Sequence, residues 1–113
     1  DCMERLVRLV RSANERYNLS SPVFPSGGSN TPIFLISPIL LNEHVGARSD
    51  DVSDSGRLSG LYEEIAEKYG LHFMDAALYA EPSVIDGIHL DADGHKILGQ
   101  AIAEIIRDIL KDE

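Results

Sequence analysis

Cysteine, basic residues and long apolar runs are scarce in this 113-residue chain, and each scarcity excludes a class of protein. A single cysteine, Cys2, cannot form an internal disulfide and leaves the cellular compartment open. Lys and Arg number 10 against 19 Asp and Glu, which gives a net charge of −9. Nucleic acid is therefore not the expected partner, because phosphate binding needs a basic face. No apolar run approaches the roughly 18 residues that a membrane span requires.

Apolar spacing along the chain predicts the order helix, strand, helix, strand, helix. The continuous apolar run at 33–36 is typical of a parallel strand buried on both faces. Ser53 or Asp54 is expected to cap the second helix, Gly70 to end it, and Asp91 to cap the third. The predicted elements are helix 3–17, strand 33–36, a second helix that follows its cap and reaches residue 69, strand 71–74, and a third helix from the Asp91 cap to residue 111.

This order indicates the α/β class with right-handed crossovers. Two short strands cannot bury three helical stripes and their own faces, so we expect residues 1–113 to be the C-terminal part of one domain. The absence of an initiator Met before Asp1 fits a segment of a longer protein. On the first helix, Arg5, Arg8 and Arg11 share a face that we expect to be solvated.

The segment from Asp86 to His89 carries the residues suited to chemistry. It follows the second predicted strand, where open α/β sheets place their sites. A carboxylate three residues before a histidine in a turn can accept the Nδ1 proton of the ring, which leaves Nε2 free to take a proton from a hydroxyl. Gly87 between the two residues allows the backbone to turn tightly.

Asp86-x-x-His89, followed by Gly94-His95 and a long amphipathic helix, resembles the last block of the SGNH/GDSL-type ester hydrolases. The resemblance extends to residues 33–38 and 57–76. It implies a three-layer α/β/α sandwich of flavodoxin-like type, a small-molecule ester substrate and no cofactor. It also implies that Asp86 is the orienting acid and His89 the general base of a Ser-His-Asp triad.

In that family the nucleophilic serine and the oxyanion glycine and asparagine belong to blocks that precede Asp1. We therefore expect the 113 residues to need the N-terminal half of their domain, and to be inactive alone. Asp54-Ser55-Gly56 imitates the nucleophile block, but it precedes a helix, and a cap is the expected role of its residues. The alternative function is a non-catalytic flavodoxin-like binding module or a degenerate hydrolase. Either function is compatible with a homo-oligomer.

A metal site is the competing chemical interpretation, because five potential ligands stand close together. However, carboxylates at a helix start are favoured by the helix dipole, and the spacing is not that of a calcium loop. We therefore predict no metal. Two loop residues, His44 and Tyr79, are expected near a substrate pocket, and loop 18–32 is longer than a plain connection requires. The five potential ligands are Asp86, His89, Asp91, Asp93 and His95.

Overall fold

The computed structural model describes the backbone of residues 2–18, 32–44 and 46–111, and the side chains of the same ranges except 13–18. Loop 19–31 and the side chain of Tyr17 therefore lie outside the described residues. The predicted order of elements is confirmed. Helix α1 spans Cys2–Asn18, strand β1 Phe34–Ser37, helix α2 Ser49–Tyr69, strand β2 His72–Asp75 and helix α3 Ala92–Lys111, with a 3-10 helix at Ala76–Leu78.

The two strands pair in parallel, with Phe34 opposite His72 and Ser37 opposite Asp75. Helix α2 makes the crossover between them, as parallel pairing requires. The α/β class is thus confirmed, and a two-stranded parallel sheet with helices packed against it corresponds to an incomplete α/β/α sandwich. No described helix combines the length and the apolar character that crossing a membrane requires.

A small apolar core joins α1 and α2 to one face of the sheet. Val7 of α1, Leu35 of β1, and Ile65 and Ala66 of α2 are buried together. Removal of this apolar surface from water is the main force that holds the three elements together. Half-buried side chains complete the cluster, and they are Met3, Ile33, Tyr62, Tyr69, Leu71 and Phe73.

Helix α2 begins at Ser49, so the prediction that Ser53 or Asp54 caps it was wrong. Arg48 occupies the N-cap position without a side-chain cap bond, while Asp50 and Asp51 lie in the first turn. Carboxylates in that turn interact favourably with the positive end of the helix dipole, which explains the earlier start.

Gly70 ends helix α2, as the sequence predicted. Gly70 adopts the left-handed conformation with φ of 63°, and its backbone N–H reaches the carbonyl groups of Ala66 and Glu67. The carbonyl of Ala66 also accepts the N–H of Leu71 at 2.8 Å. This αL cap satisfies carbonyl groups that the helix leaves open and turns the chain directly into β2.

On the arginine face of α1, Arg5 and Arg8 are exposed as expected, whereas Arg11 is half-buried, which corrects the expectation for Arg11. Arg8 Nε donates to the Tyr69 hydroxyl at 2.9 Å, and Arg11 donates to the Tyr69 carbonyl. The same hydroxyl donates to Glu4 Oε1 at 2.6 Å. Only Arg5 of the trio is exposed without such a contact. These bonds tie α1 to the end of α2 outside the core.

The apolar stripes of the three helices are incompletely covered by the described residues. Leu61 has the helical spacing of the core residues Ile65 and Ala66 of α2, which predicts that it faces the core, yet it is 47% exposed. Periodicity identifies the helices correctly, but burial of each stripe residue depends on neighbouring elements. Other predicted stripe residues that remain exposed are Leu6 and Val10 of α1, and Ile97, Ile106 and Leu110 of α3.

Candidate active site

The turn that holds Asp86 and His89 is closed by its own backbone. The N–H of Ser83 donates to the carbonyl of His89 at 2.6 Å, and the N–H of Gly87 donates to the carbonyl of Ser83 at 2.8 Å. Gly87 has φ of 68°, a conformation that side-chain-bearing residues rarely adopt. Gly87 is therefore required for this geometry, as the sequence predicted.

The loop after β1 holds the turn from outside. The N–H of Asn42 donates to the carbonyl of Gly87 at 2.9 Å. A Cβ atom at Gly46 would lie 2.8 Å from the carbonyl oxygen of Asp86, so only glycine permits this close approach. Sequence analysis missed Asn42, Gly46 and Ser83, because these contacts join distant parts of the chain through backbone groups. They place the turn beside the carboxyl end of β1.

Asp86 and His89 form a short, directed hydrogen bond. The distance from His89 Nδ1 to Asp86 Oδ2 is 2.6 Å. The other oxygen, Asp86 Oδ1, accepts the backbone N–H of Ile88 at 2.9 Å and that of His89 at 3.0 Å. The ring hydrogen bond first, and then the two amides, lower the pKa of Asp86 to about 2. The carboxyl group is consequently ionised at neutral pH.

The far side of the His89 ring is open. Its side chain is 79% exposed, and Nε2 has no hydrogen-bond partner among the described residues. When the neutral ring donates from Nδ1, Nε2 carries an unshared electron pair and can accept a proton. Sequence analysis proposed this pair, and the structure brings both residues together with that edge accessible.

The remaining acidic and imidazole groups near the turn have other positions. Asp91 Oδ1 accepts the N–H of Gly94 at 2.7 Å, which is the predicted cap of α3. Asp93 and His95 are exposed in the first turn of that helix. In residues 2–18, 32–44 and 46–111, no group of three or more His, Cys, Asp and Glu side chains could hold a metal ion.

The serine of the Asp54-Ser55-Gly56 sequence lies inside α2 and is buried. Its hydroxyl donates to the carbonyl of Val52 at 2.8 Å and accepts the N–H of Leu41 at 3.2 Å. The cap role expected for these residues is therefore wrong. Ser55 instead attaches the loop after β1 to α2, and it makes no hydrogen bond to His89.

A cleft of about 430 Å³ opens beside the turn, and His44 lines it as expected. Its walls come from the loop after β1, the first turns of α2 and the segment 77–84. Tyr79 lines a separate groove that also contains Phe73 of β2 and Ile105 of α3. Of the two loop residues predicted near a pocket, His44 therefore borders this cleft and Tyr79 does not.

Comparison with solved structures identifies esterases. The chain is similar to a protein from Agrobacterium tumefaciens that is provisionally described as an arylesterase, with a TM-score of 0.74 and 29% identity. That match covers 95% of this chain and 49% of the other. A carbohydrate acetylesterase from Sinorhizobium meliloti has a TM-score of 0.62 and 29% identity, and the match covers 69% of this chain and 39% of that one.

The aryl esterase of M. smegmatis has a TM-score of 0.60, and the match covers 68% of this chain and 38% of that chain. At 23% identity, this match supports the fold alone. No profile of a protein family matches the chain, and no curated protein does. The chain spans half or less of the length of these similar structures. The likeness supports the α/β fold.

Proposed function

We propose that the complete protein is an ester hydrolase of SGNH/GDSL type, in which His89 is the general base and Asp86 orients it. The observation that carries the proposal is the 2.6 Å bond from Nδ1 to Oδ2, combined with an Nε2 edge that has no partner among the described residues. That arrangement matches the acid and base of a Ser-His-Asp triad. The esterase neighbours support the same reaction class.

In the proposed reaction, His89 Nε2 takes the proton of a serine hydroxyl while the serine oxygen attacks the carbonyl carbon of a small-molecule ester. The tetrahedral intermediate collapses, the C–O bond to the alcohol breaks, and His89 returns the proton to the leaving oxygen. A water molecule, deprotonated by His89, then releases the acid from the acyl-serine. Asp86 stabilises the protonated ring in each step. No cofactor is needed.

The serine of this reaction would come from a part of the protein outside the described residues. No described serine hydroxyl donates to the His89 ring, and Ser55 and Ser83 are both engaged elsewhere. The oxyanion donors would come from the same additional part. Arylesterase and carbohydrate acetylesterase neighbours favour an aryl ester or a sugar acetate as substrate class.

The decisive experiment replaces His89 in the complete protein. We expect His89→Ala to lower kcat/KM for 4-nitrophenyl acetate by about 10²–10⁴-fold or more, because a general base contributes at least that much. The ring is 79% exposed, so its removal should leave the fold intact by circular dichroism.

The matched control is His72→Ala, since His72 is an exposed histidine at the opposite end of β2 from the turn. It should hydrolyse the ester as the unmodified protein does. Turnover of His89→Ala within threefold of wild type, roughly 0.6 kcal/mol, would reject the proposal and favour the non-catalytic binding module.

A further inference from the structure

We propose that the cleft beside the turn holds an apolar substituent of the ester and selects against substituents with a negative charge. This inference rests on the proposed function, since it concerns the same reaction. It deepens that function by assigning a specificity surface to described residues. The apolar part of the cleft is formed by Leu40, Leu41, Val52, Ala80, Pro82 and Val84.

The cleft is continuous with the turn that carries the dyad. Asn42 lines the cleft, and its backbone N–H binds the carbonyl of Gly87 inside the turn. Val84 also lines the cleft and lies two residues before Asp86. Asp86 and His89 do not line the cleft themselves, so in this proposal the substituent occupies the cleft and the ester bond lies beyond its rim, beside His89.

The size and the lining of the cleft suit an alkyl or aryl group. A volume of about 430 Å³ lies within the roughly 300–1,000 Å³ typical of small-molecule sites. Most of the lining side chains are aliphatic, and burial of apolar surface against them is favourable. No Phe, Tyr or Trp side chain lines the cleft among the described residues, and His44 supplies its one aromatic ring.

The charged groups of the cleft are mainly carboxylates. Glu43 and Glu81 line it and are both exposed, and neither forms an ion pair with another described residue. His44 is the one basic side chain among the described lining residues. A carboxylate on the substituent would be repelled by both glutamates, whereas a neutral or cationic group would not be.

The first test narrows the cleft with Leu40→Trp in the complete protein. Leu40 is 48% exposed, so the larger ring can be accommodated without repacking the core. We expect kcat/KM for large apolar esters to fall at least tenfold relative to methyl acetate. An acyl series from nitrophenyl acetate to hexanoate and an alcohol series from methyl to naphthyl acetate identify which side of the ester enters the cleft.

The matched control is Leu9→Trp, because Leu9 is 54% exposed on α1, lies on the other side of that helix from the core residue Val7 and does not line the cleft. Leu40→Ala gives an independent test by widening the cleft, and it should shift preference towards larger substituents. Equal relative rates for Leu40→Trp and Leu9→Trp in both series would overturn the inference. An unchanged size preference in Leu40→Ala would overturn it as well.

The second test removes the two carboxylates. In the Glu43→Gln, Glu81→Gln double variant, kcat/KM for an ester bearing a carboxylate should rise about threefold or more relative to its methyl-capped counterpart, a change typical of exposed charges. The double variant Glu64→Gln, Glu67→Gln makes the same charge change on α2, outside the cleft. Equal ratios in the two double variants would contradict the selection by charge.

The His89→Ala variant separates the two proposals. If it retains turnover, the proposed function fails, whatever the cleft variants do. If it loses turnover while the cleft variants behave as their controls, the function stands and the cleft assignment alone fails.

Discussion

Asp86 accepts three hydrogen bonds, all of them from the two residues that follow Gly87. Its two oxygens accept the amides of Ile88 and His89 and the imidazole of His89. Because these partners lie within three positions of the carboxylate, the geometry is local, and the sequence predicted it. The contacts from Asn42, Gly46 and Ser83 could not be predicted, because they depend on where the loops meet in space.

At the residue scale, we predict that Asp86→Asn lowers kcat/KM of the complete protein by about 10²–10⁴-fold, with KM little changed. An amide cannot stabilise the protonated ring, and it can offer its own N–H to Nδ1, which selects the wrong tautomer. Steady-state kinetics with 4-nitrophenyl acetate measures the effect. Asp93→Asn, which removes an equal charge from the exposed start of α3, should leave kcat/KM unchanged.

The pKa of Asp86 refines this prediction. A value of about 2 lies below the ordinary 3.8, so the carboxylate stays charged from neutral pH down to strongly acidic solution. Loss of activity below neutral pH should therefore not follow the titration of Asp86. Carbon-13 NMR of its Cγ checks this directly, and a midpoint near 4 would contradict it.

At the element scale, the sequence predicted which segments form helices and strands but misplaced one start and several buried faces. Helix α2 begins at Ser49 because acidic residues are favourable in a first turn, even where the N-cap itself makes no side-chain bond. Leu61 and Ile97 have helical spacing but remain exposed among the described residues. Periodicity identifies the apolar stripe of a helix, whereas the tertiary structure determines which elements bury that stripe.

One carboxylate, that of Glu4, accepts several of the polar contacts between α1 and the end of α2. Glu4 Oε1 accepts from Lys68 Nζ at 2.7 Å and from the Tyr69 hydroxyl at 2.6 Å. Arg8 reaches the same oxygen at 3.1 Å. The pKa of Glu4 falls from 4.5 to about 2. The largest cause is the hydrogen bond from Lys68, and the next is the hydrogen bond from Tyr69.

We predict that Glu4→Gln destabilises the protein at neutral pH and that the difference disappears in acid. A carboxylate with a depressed pKa stabilises the fold above its unfolded pKa, and this stabilisation is lost as the pH falls from about 4.5 to about 2. Thermal unfolding across this range should show the wild-type Tm approaching that of the variant.

Because the cluster is at the surface, added salt should also reduce the difference at neutral pH. Glu104→Gln, on the exposed surface of α3, supplies the control and should follow the wild-type curve. A difference in Tm between wild type and Glu4→Gln that is constant from pH 7 to pH 2 would contradict the linkage.

At the scale of the whole molecule, the described residues form only part of an α/β/α sandwich. The matches cover 49% and 39% of two similar structures, and a parallel sheet of two strands leaves apolar helix surfaces uncovered. The proposed acid and base, Asp86 and His89, lie on the same segment, which is why the sequence predicted them together. The proposed nucleophile lies on none of the described elements.

We therefore predict that these 113 residues, prepared alone, show no serine-dependent ester hydrolysis. A base without a hydroxyl in reach cannot form an acyl-enzyme. A fluorophosphonate probe should label a serine of the complete protein but none of the serines within this segment. Labelling of Ser55 or Ser83 in the isolated segment, with ester turnover that the probe blocks, would refute this prediction.

The turn around the dyad is held by main-chain hydrogen bonds and by the side chains of Ser83 and Asp86, and none of these bonds uses the side chains of Val84 or Ile85. Val84 and Ile85 project from it with 85% and 86% of their surface exposed, while Ser83 and Gly87 close the backbone beneath them. The two side chains are thus decoupled from the geometry that aligns the imidazole. Under the proposed function, a combinatorial library at these two positions should vary which esters are accepted while leaving the Asp86–His89 hydrogen bond intact, which makes the turn a natural starting point for directed evolution.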